Sequence, residues 1–148
     1  MIVQKFGGTS VADPEAVRRL IAIVREARTR DPHGPVVVVS AMSGVTDALL
    51  AVAAAAGATQ VDEALACLAE LRARHLAAAR ALAPDGGAPP LAAFIDAHFD
   101  ELDAVARALG VLREVSGRTL DAVAASGELL NSRIVAAALE AEGVPAVW

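Results

Sequence analysis

The sequence predicts an α/β fold: a mostly parallel sheet with helices on both faces. Three observations predict it. An apolar start (Ile2, Val3), a helical pattern and a second apolar run follow one another as strand, helix and strand. The second run, Val36-Val37-Val38-Val39, is wholly β-branched and reads as a strand buried on both faces, central in a parallel sheet. The composition is 55% hydrophobic, much of it alanine, with only 3% aromatic residues, which favours helix around that sheet.

The first strand is expected to be short and buried. It carries Lys5 and Phe6 into the turn Gly7-Gly8, followed by Thr9 and Ser10. A strand, a glycine turn and a helix in that order bring backbone N–H groups towards an anion. Glycine lets a phosphate approach the main chain, and Lys5 adds a mobile positive charge beside it. Thirteen residues are basic, and Lys5 is the single lysine among twelve arginines.

Asp13 is a good N-cap with Pro14 at N1, opening a helix with Val17, Leu20, Ile21, Val24 and Ala27 at helical spacing. Arg18, Arg19, Arg25 and Arg28 read as a solvated face. Asp31-Pro32-His33-Gly34-Pro35 makes a turn into the valine strand. Both loops that follow strands then lie at carboxyl ends, where open parallel sheets bind ligands.

Ser40-Ala41-Met42-Ser43-Gly44 leaves the strand with small residues. Ser43 is the expected cap of a helix from Val45, with the Thr46 hydroxyl in its first turn. Gly57-Ala58 breaks that helix and Thr59 is the expected cap of the next. Residues 59–83 and 89–109 read as an antiparallel helix pair inserted between sheet elements. Leu65, Leu68, Leu71, Leu76, Ala79 and Leu82 stripe the first; Leu91, Ile95, His98, Leu102, Val105 and Leu109 stripe the second. Pro84-Asp85-Gly86-Gly87 is expected to end one, Pro89-Pro90 to start the other, and Gly110 to stop it. A helical stretch from Thr119 is expected to break at Ser126-Gly127. Glu128 then opens a longer helix, with its carboxylate on the positive end of the dipole and Arg133 as a possible partner. After Gly143, Val144–Trp148 reads as a third strand in which the chain stops. A fragment of a longer domain is expected.

Net charge of −5 without a basic block argues against nucleic acid. The apolar stretch Ala48 to Ala56 is too short to span a bilayer, so no membrane partner is expected. His33, His75 and His98 have no metal-ligand spacing. Cys67 is the only cysteine, which excludes an intrachain disulfide and fits a cytoplasmic location. There is no Ser/His/Asp set and no Walker spacing.

The string Lys5-Phe6-Gly7-Gly8-Thr9-Ser10-Val11 resembles the opening motif of the aspartokinases, in the amino-acid kinase family. Ser40-Ala41-Met42-Ser43-Gly44-Val45-Thr46-Asp47 and Ser126-Gly127-Glu128-Leu129 agree, in the same order. The resemblance implies a three-layer amino-acid-kinase-like fold, present here as its N-terminal, substrate-binding portion, with a helical insertion at about residues 59–115. The nucleotide-binding half and the regulatory ACT domains of that family are expected to lie outside this stretch. It implies ATP-dependent phosphorylation of L-aspartate to 4-phospho-L-aspartate, opening lysine, threonine and methionine biosynthesis, in a homo-oligomeric full-length enzyme. Carried over by motif, Lys5 contacts the ATP phosphates and stabilises transferring charge, and Mg2+ arrives bound to those phosphates. Phe6, Gly7, Gly8, Thr9 and Ser10 form the nucleotide loop. Ser40, Ala41 and Thr46 line the aspartate pocket and Glu128 holds the α-ammonium. A glutamate or acetylglutamate kinase, or a non-catalytic helical module, are the alternatives.

Overall fold

A computed structural model describes residues 2–31, 33–84 and 91–148. Two strands, β1 (Val3–Phe6) and β2 (Val36–Val39), pair in parallel with Val3 opposite Val36 and Phe6 opposite Val39. The helices are α1 (Pro14–Arg30), α2 (Val45–Gly57), α3 (Val61–Leu82), α4 (Leu91–Leu112) and α5 (Gly117–Ala141); a 3-10 turn, Gly8–Val11, follows β1. The turn residue Pro32 and the breaks expected at Asp85-Gly86-Gly87 and Pro89-Pro90 lie outside the described residues.

Helix α1 begins as its sequence dictates. The Asp13 carboxylate accepts the Ala16 N–H at 2.8 Å and Pro14 sits in the first turn. Val17, Leu20, Ile21 and Val24 are buried. Its arginines are less idle than a solvated face. Arg18 donates to the Ala81 carbonyl at the end of α3, Arg25 to the Glu142 carbonyl just past α5, and Arg28 to the Pro145 carbonyl. The first two meet the negative ends of helices, where carbonyls lack intrahelical partners.

Helices α2 to α5 form a bundle. The α3–α4 pair is antiparallel: Val61 meets Gly110 near one end, and Arg72 reaches Asp96, Asp100 and Asp103 midway. The predicted stripes supply much of its core, joined by His75 and Phe99, both 0% exposed. One helix, α5, is long and apolar enough to cross a membrane, but 56% of that window is buried inside the fold, as in a core helix.

Several expectations are corrected. The sheet is not buried on both faces: Gln4, Phe6, Val37 and Val39 turn inward, while Val3, Val36 and Val38 stay exposed, as does neighbouring Ile2. Among the described residues nothing covers that outer face. Val144–Trp148 forms no strand; it flanks a groove of about 760 Å³ along β2, where a third strand was expected. Ser43 does not cap α2, which starts from Gly44 at φ 77°, and α3 is preceded by Gln60 rather than capped by Thr59. Gly110 does not stop α4 but lies within it, where a Cβ would fall 2.2 Å from the Val61 side chain.

The largest correction concerns α5, which runs unbroken through Ser126-Gly127. Gly127 is a packing residue rather than a break. A Cβ there would stand 2.8 Å from Ala41 Cβ and 3.2 Å from Val45 Cγ1. Ser126 turns its hydroxyl back onto the Ala122 carbonyl. Glu128 is therefore well inside a helix, not at its start. Helix α5 ends at Gly143 (φ 72°) with the Val144 N–H on the Leu139 carbonyl and the Gly143 N–H on that of Glu140, a Schellman closure.

Candidate functional site

Because β1 and β2 are parallel, their carboxyl ends open on the same edge. The loops leaving them meet there. Gly8 makes the meeting possible, since a Cβ on it would stand 3.3 Å from the Ala41 carbonyl oxygen. Its bare main chain thus serves loop-to-loop contact first. Between these loops and α5 lies a pocket of about 390 Å³ lined by Gly8, Thr9, residues 40–44, Thr46, Asp47 and Glu128. Segments far apart in sequence therefore converge on one rim.

Of the candidate residues, Gly8, Thr9, Ser40, Ala41, Thr46 and Glu128 line this pocket. Lys5 does not. It is exposed at the end of β1, and its Nζ would touch a Cβ on Gly7 at 3.8 Å, so the ammonium folds over the glycine turn beside the rim. Gly7 accepts the Ser10 N–H at 2.9 Å, closing the 3-10 turn. Phe6 packs against the core, and Ser10 is exposed outside the lining. Arg133 does not pair with Glu128; its guanidinium lies over the Trp148 ring, 5.4 Å from the centroid.

Met42, Ser43, Gly44 and Asp47 complete the wall. Asp47 stands in the first turn of α2, where the dipole favours a carboxylate. Its signal was present in the sequence, one residue after Thr46. The N-terminus of α2 has no side-chain cap; the Val45 N–H donates to the Met42 carbonyl at 3.0 Å, which leaves the Thr46 and Asp47 N–H groups as the ones a ligand could take. Gly44 reaches φ 77° at no steric cost, which permits this open entry. The pocket thus offers opposite features: helix amides and a nearby ammonium for an anion, and the Asp47 and Glu128 carboxylates for a cation. A small zwitterion bearing an additional acid group matches that pattern.

Other chemistry is weaker. Among the described residues no three His, Cys, Asp or Glu side chains gather to hold a metal ion. Burial, then the Glu70 charge, push the Cys67 thiol up, away from thiolate reactivity. Burial holds His75 below its ordinary value; its Nδ1 donates to the Leu71 carbonyl at 2.7 Å, inside the bundle.

The model of the amino acid kinase family matches residues 1–148. An Arabidopsis thaliana protein, aspartokinase 3, chloroplastic, is 32% identical over 95% of this chain and 24% of its own length. The Schizosaccharomyces pombe aspartokinase is 33% identical over 97% of this chain and 28% of its own. Among solved structures, E. coli aspartokinase III in complex with aspartate and ADP superposes with a TM-score of 0.75 at 25% identity, over 97% of this chain and 29% of that one. The same enzyme with lysine and aspartate gives 0.71 at 26% identity, over 97% and 30%. The chain spans 24% of the length of each of two Arabidopsis aspartokinases and 15% of a bifunctional aspartokinase/homoserine dehydrogenase from Zea mays.

Proposed function

This chain belongs to the amino acid kinase family, and from that premise we propose that it is the N-terminal, substrate-binding part of an aspartokinase catalytic domain. The full-length protein then transfers the γ-phosphoryl group of ATP to the side-chain carboxylate of L-aspartate. A carboxylate oxygen forms the new bond to phosphorus, the bond to the β–γ bridging oxygen breaks, and ADP leaves with that electron pair. The products are 4-phospho-L-aspartate and ADP, and the reaction opens lysine, threonine and methionine biosynthesis.

The observation that carries this reading is the single pocket gathering Gly8, Thr9, Ser40, Ala41, Thr46 and Glu128. Glu128 would hold the substrate α-ammonium. Ser40, Ala41, Thr46 and the open end of α2 would receive its carboxylates. Lys5, beside the glycine turn, would neutralise charge developing on the transferring phosphoryl group. Gly7 and Gly8 would offer amides to the ATP phosphates, while Phe6, Thr9 and Ser10 hold the loop's shape. Mg2+ would enter on those phosphates rather than in a protein cage, a mode common for this ion. Binding of aspartate and ADP by the E. coli relative supports the substrate pair. A cytoplasmic, homo-oligomeric enzyme without nucleic-acid or membrane partners completes the proposal.

The test is acyl-phosphate trapping with hydroxylamine, using the full-length protein, MgATP and a panel of aspartate, glutamate and N-acetylglutamate. Hydroxamate from aspartate alone supports the reading; hydroxamate from another acid, or from none, overturns it. The 148 residues alone are expected to give little or none.

A further inference from the structure

Helix α5 carries a second polar side chain one turn beyond Glu128. Asn131 is 0% exposed, and its Nδ2 donates to the Ser40 carbonyl at 2.6 Å. Ser40 is held from its other side too, its N–H donating to the Phe6 carbonyl of β1 at 3.0 Å. One residue at the mouth of the pocket is thus pinned to β1 and to α5. At Gly127 the same helix face admits Ala41 to close contact. The loop therefore meets α5 at two points about a turn apart, and Glu128 lines the pocket beside them.

We propose that Asn131 is a positioning residue, whose amide clamps the Ser40–Gly44 loop onto α5 and fixes the gap between that loop and Glu128. Its chemistry suits the role. Serine is too short for this reach, and an aliphatic side chain would leave the Ser40 carbonyl bare. The Asn131 Oδ1 is buried without a partner among the described residues. Such an unmet group is costly, and a residue needed only to fill space would not carry one. A clamp on the amino-acid side of the pocket governs how well the α-ammonium and the carboxylates are met at once. Its hydrogen bond goes to the Ser40 carbonyl and not to the glycine turn, which meets this loop at Ala41. This inference rests on the proposed aspartate kinase activity.

The test is steady-state kinetics of the full-length enzyme carrying Asn131→Leu, which keeps the branching at Cγ and removes the donor. The KM for L-aspartate is expected to rise roughly five- to tenfold while the KM for ATP stays within about twofold. Gly127→Ala, which disturbs the neighbouring contact, should raise the same parameter. An aspartate KM within about twofold of the parent enzyme, or equal rises for both substrates, would overturn the clamp. If neither variant folds, hydrogen exchange on the unmodified protein decides. The Asn131 side-chain amide protons should exchange at least about a hundredfold more slowly than a free amide, and exchange at the free rate refutes the clamp. Absence of aspartate turnover in the unmodified enzyme would instead sink the activity, leaving exchange to judge the clamp alone.

Discussion

In the bundle of α2 to α5, contact is made by side chains that fill space: Leu68, Ile95, Phe99 and Leu130 are each 0% exposed. At the corner where β1 and β2 end, contact is made by main chain and by missing side chains. Gly8 sits under the Ala41 carbonyl, Gly127 under Ala41 and Val45, and Ser40 is held by its own N–H and carbonyl. The bundle tolerates little loss of volume and, where Gly110 meets Val61, little gain; the corner tolerates little gain at Gly8 and Gly127. The two share α2 and α5, which reach from the core to the pocket wall. A four-residue strand pair with one exposed face could not position Glu128 or the amides of α2 alone. The rigidity of the pocket is borrowed from the bundle.

Breaking the bundle should have the largest effect. Phe99→Ala empties the space between α3 and α4, where the ring packs on His75 at 5.4 Å between centroids. A loss of about 3–5 kcal/mol is expected by urea denaturation. A loss under about 1 kcal/mol would mean that the bundle does not set the stability of the chain.

The corner should respond to gain instead. Gly127→Ala improves helix propensity, yet the added methyl meets Ala41 and Val45, so a net loss of about 1–2 kcal/mol is expected. Gly117→Ala, with nothing within 4 Å, should be neutral or stabilising by up to about 1 kcal/mol. Equal effects at the two sites would erase the contrast between the regions.

His75 probes the bundle by pH. Burial lowers its folded pKa below the ordinary 6.5, outweighing the Leu71 carbonyl that favours the charged ring; Arg74 and His98 lower it further. The unfolded chain therefore takes up the proton first as pH falls. Above about 6.5 this group leaves stability unchanged. Below it stability declines, with a limiting slope of about 1.4 kcal/mol per pH unit until the folded ring also protonates. His75→Leu should flatten that segment of the stability-against-pH curve, and an unchanged curve would contradict the assignment.

The N-cap of α1 belongs to neither region. Asp13→Ala removes the N-cap of α1 and should cost about 1 kcal/mol in thermal denaturation, without altering ligand affinity at the pocket.

Local chemistry was legible in the sequence; long-range approach was not. Asp13-Pro14 announced the start of α1, and the valine run announced β2. The leucine stripes announced the α3–α4 pair, and the parallel order put both strand-end loops on one edge. Gly110 and Gly127 looked like stops because a sequence does not show which helix passes overhead. Each is a point where a neighbour comes too close for a Cβ. That misreading also put Glu128 at a helix start, although its place on the rim came from the motif. Ser43 and Thr59 had capping side chains, but Gly44 and Gln60 precede the helices instead. The exposed sheet face and the missing third strand depend on what covers β2, which no local pattern encodes. Asn131 was passed over because a lone buried amide has no sequence signature.

The convergence of the glycine turn, the Ser40–Gly44 loop and α5 is tested most directly at Lys5. In the full-length protein Lys5→Ala should lower the kcat of the proposed aspartate phosphorylation at least about a hundredfold, while the melting temperature and oligomeric state remain those of the parent. Turnover within about threefold of the parent would contradict a phosphoryl-transfer site at this corner.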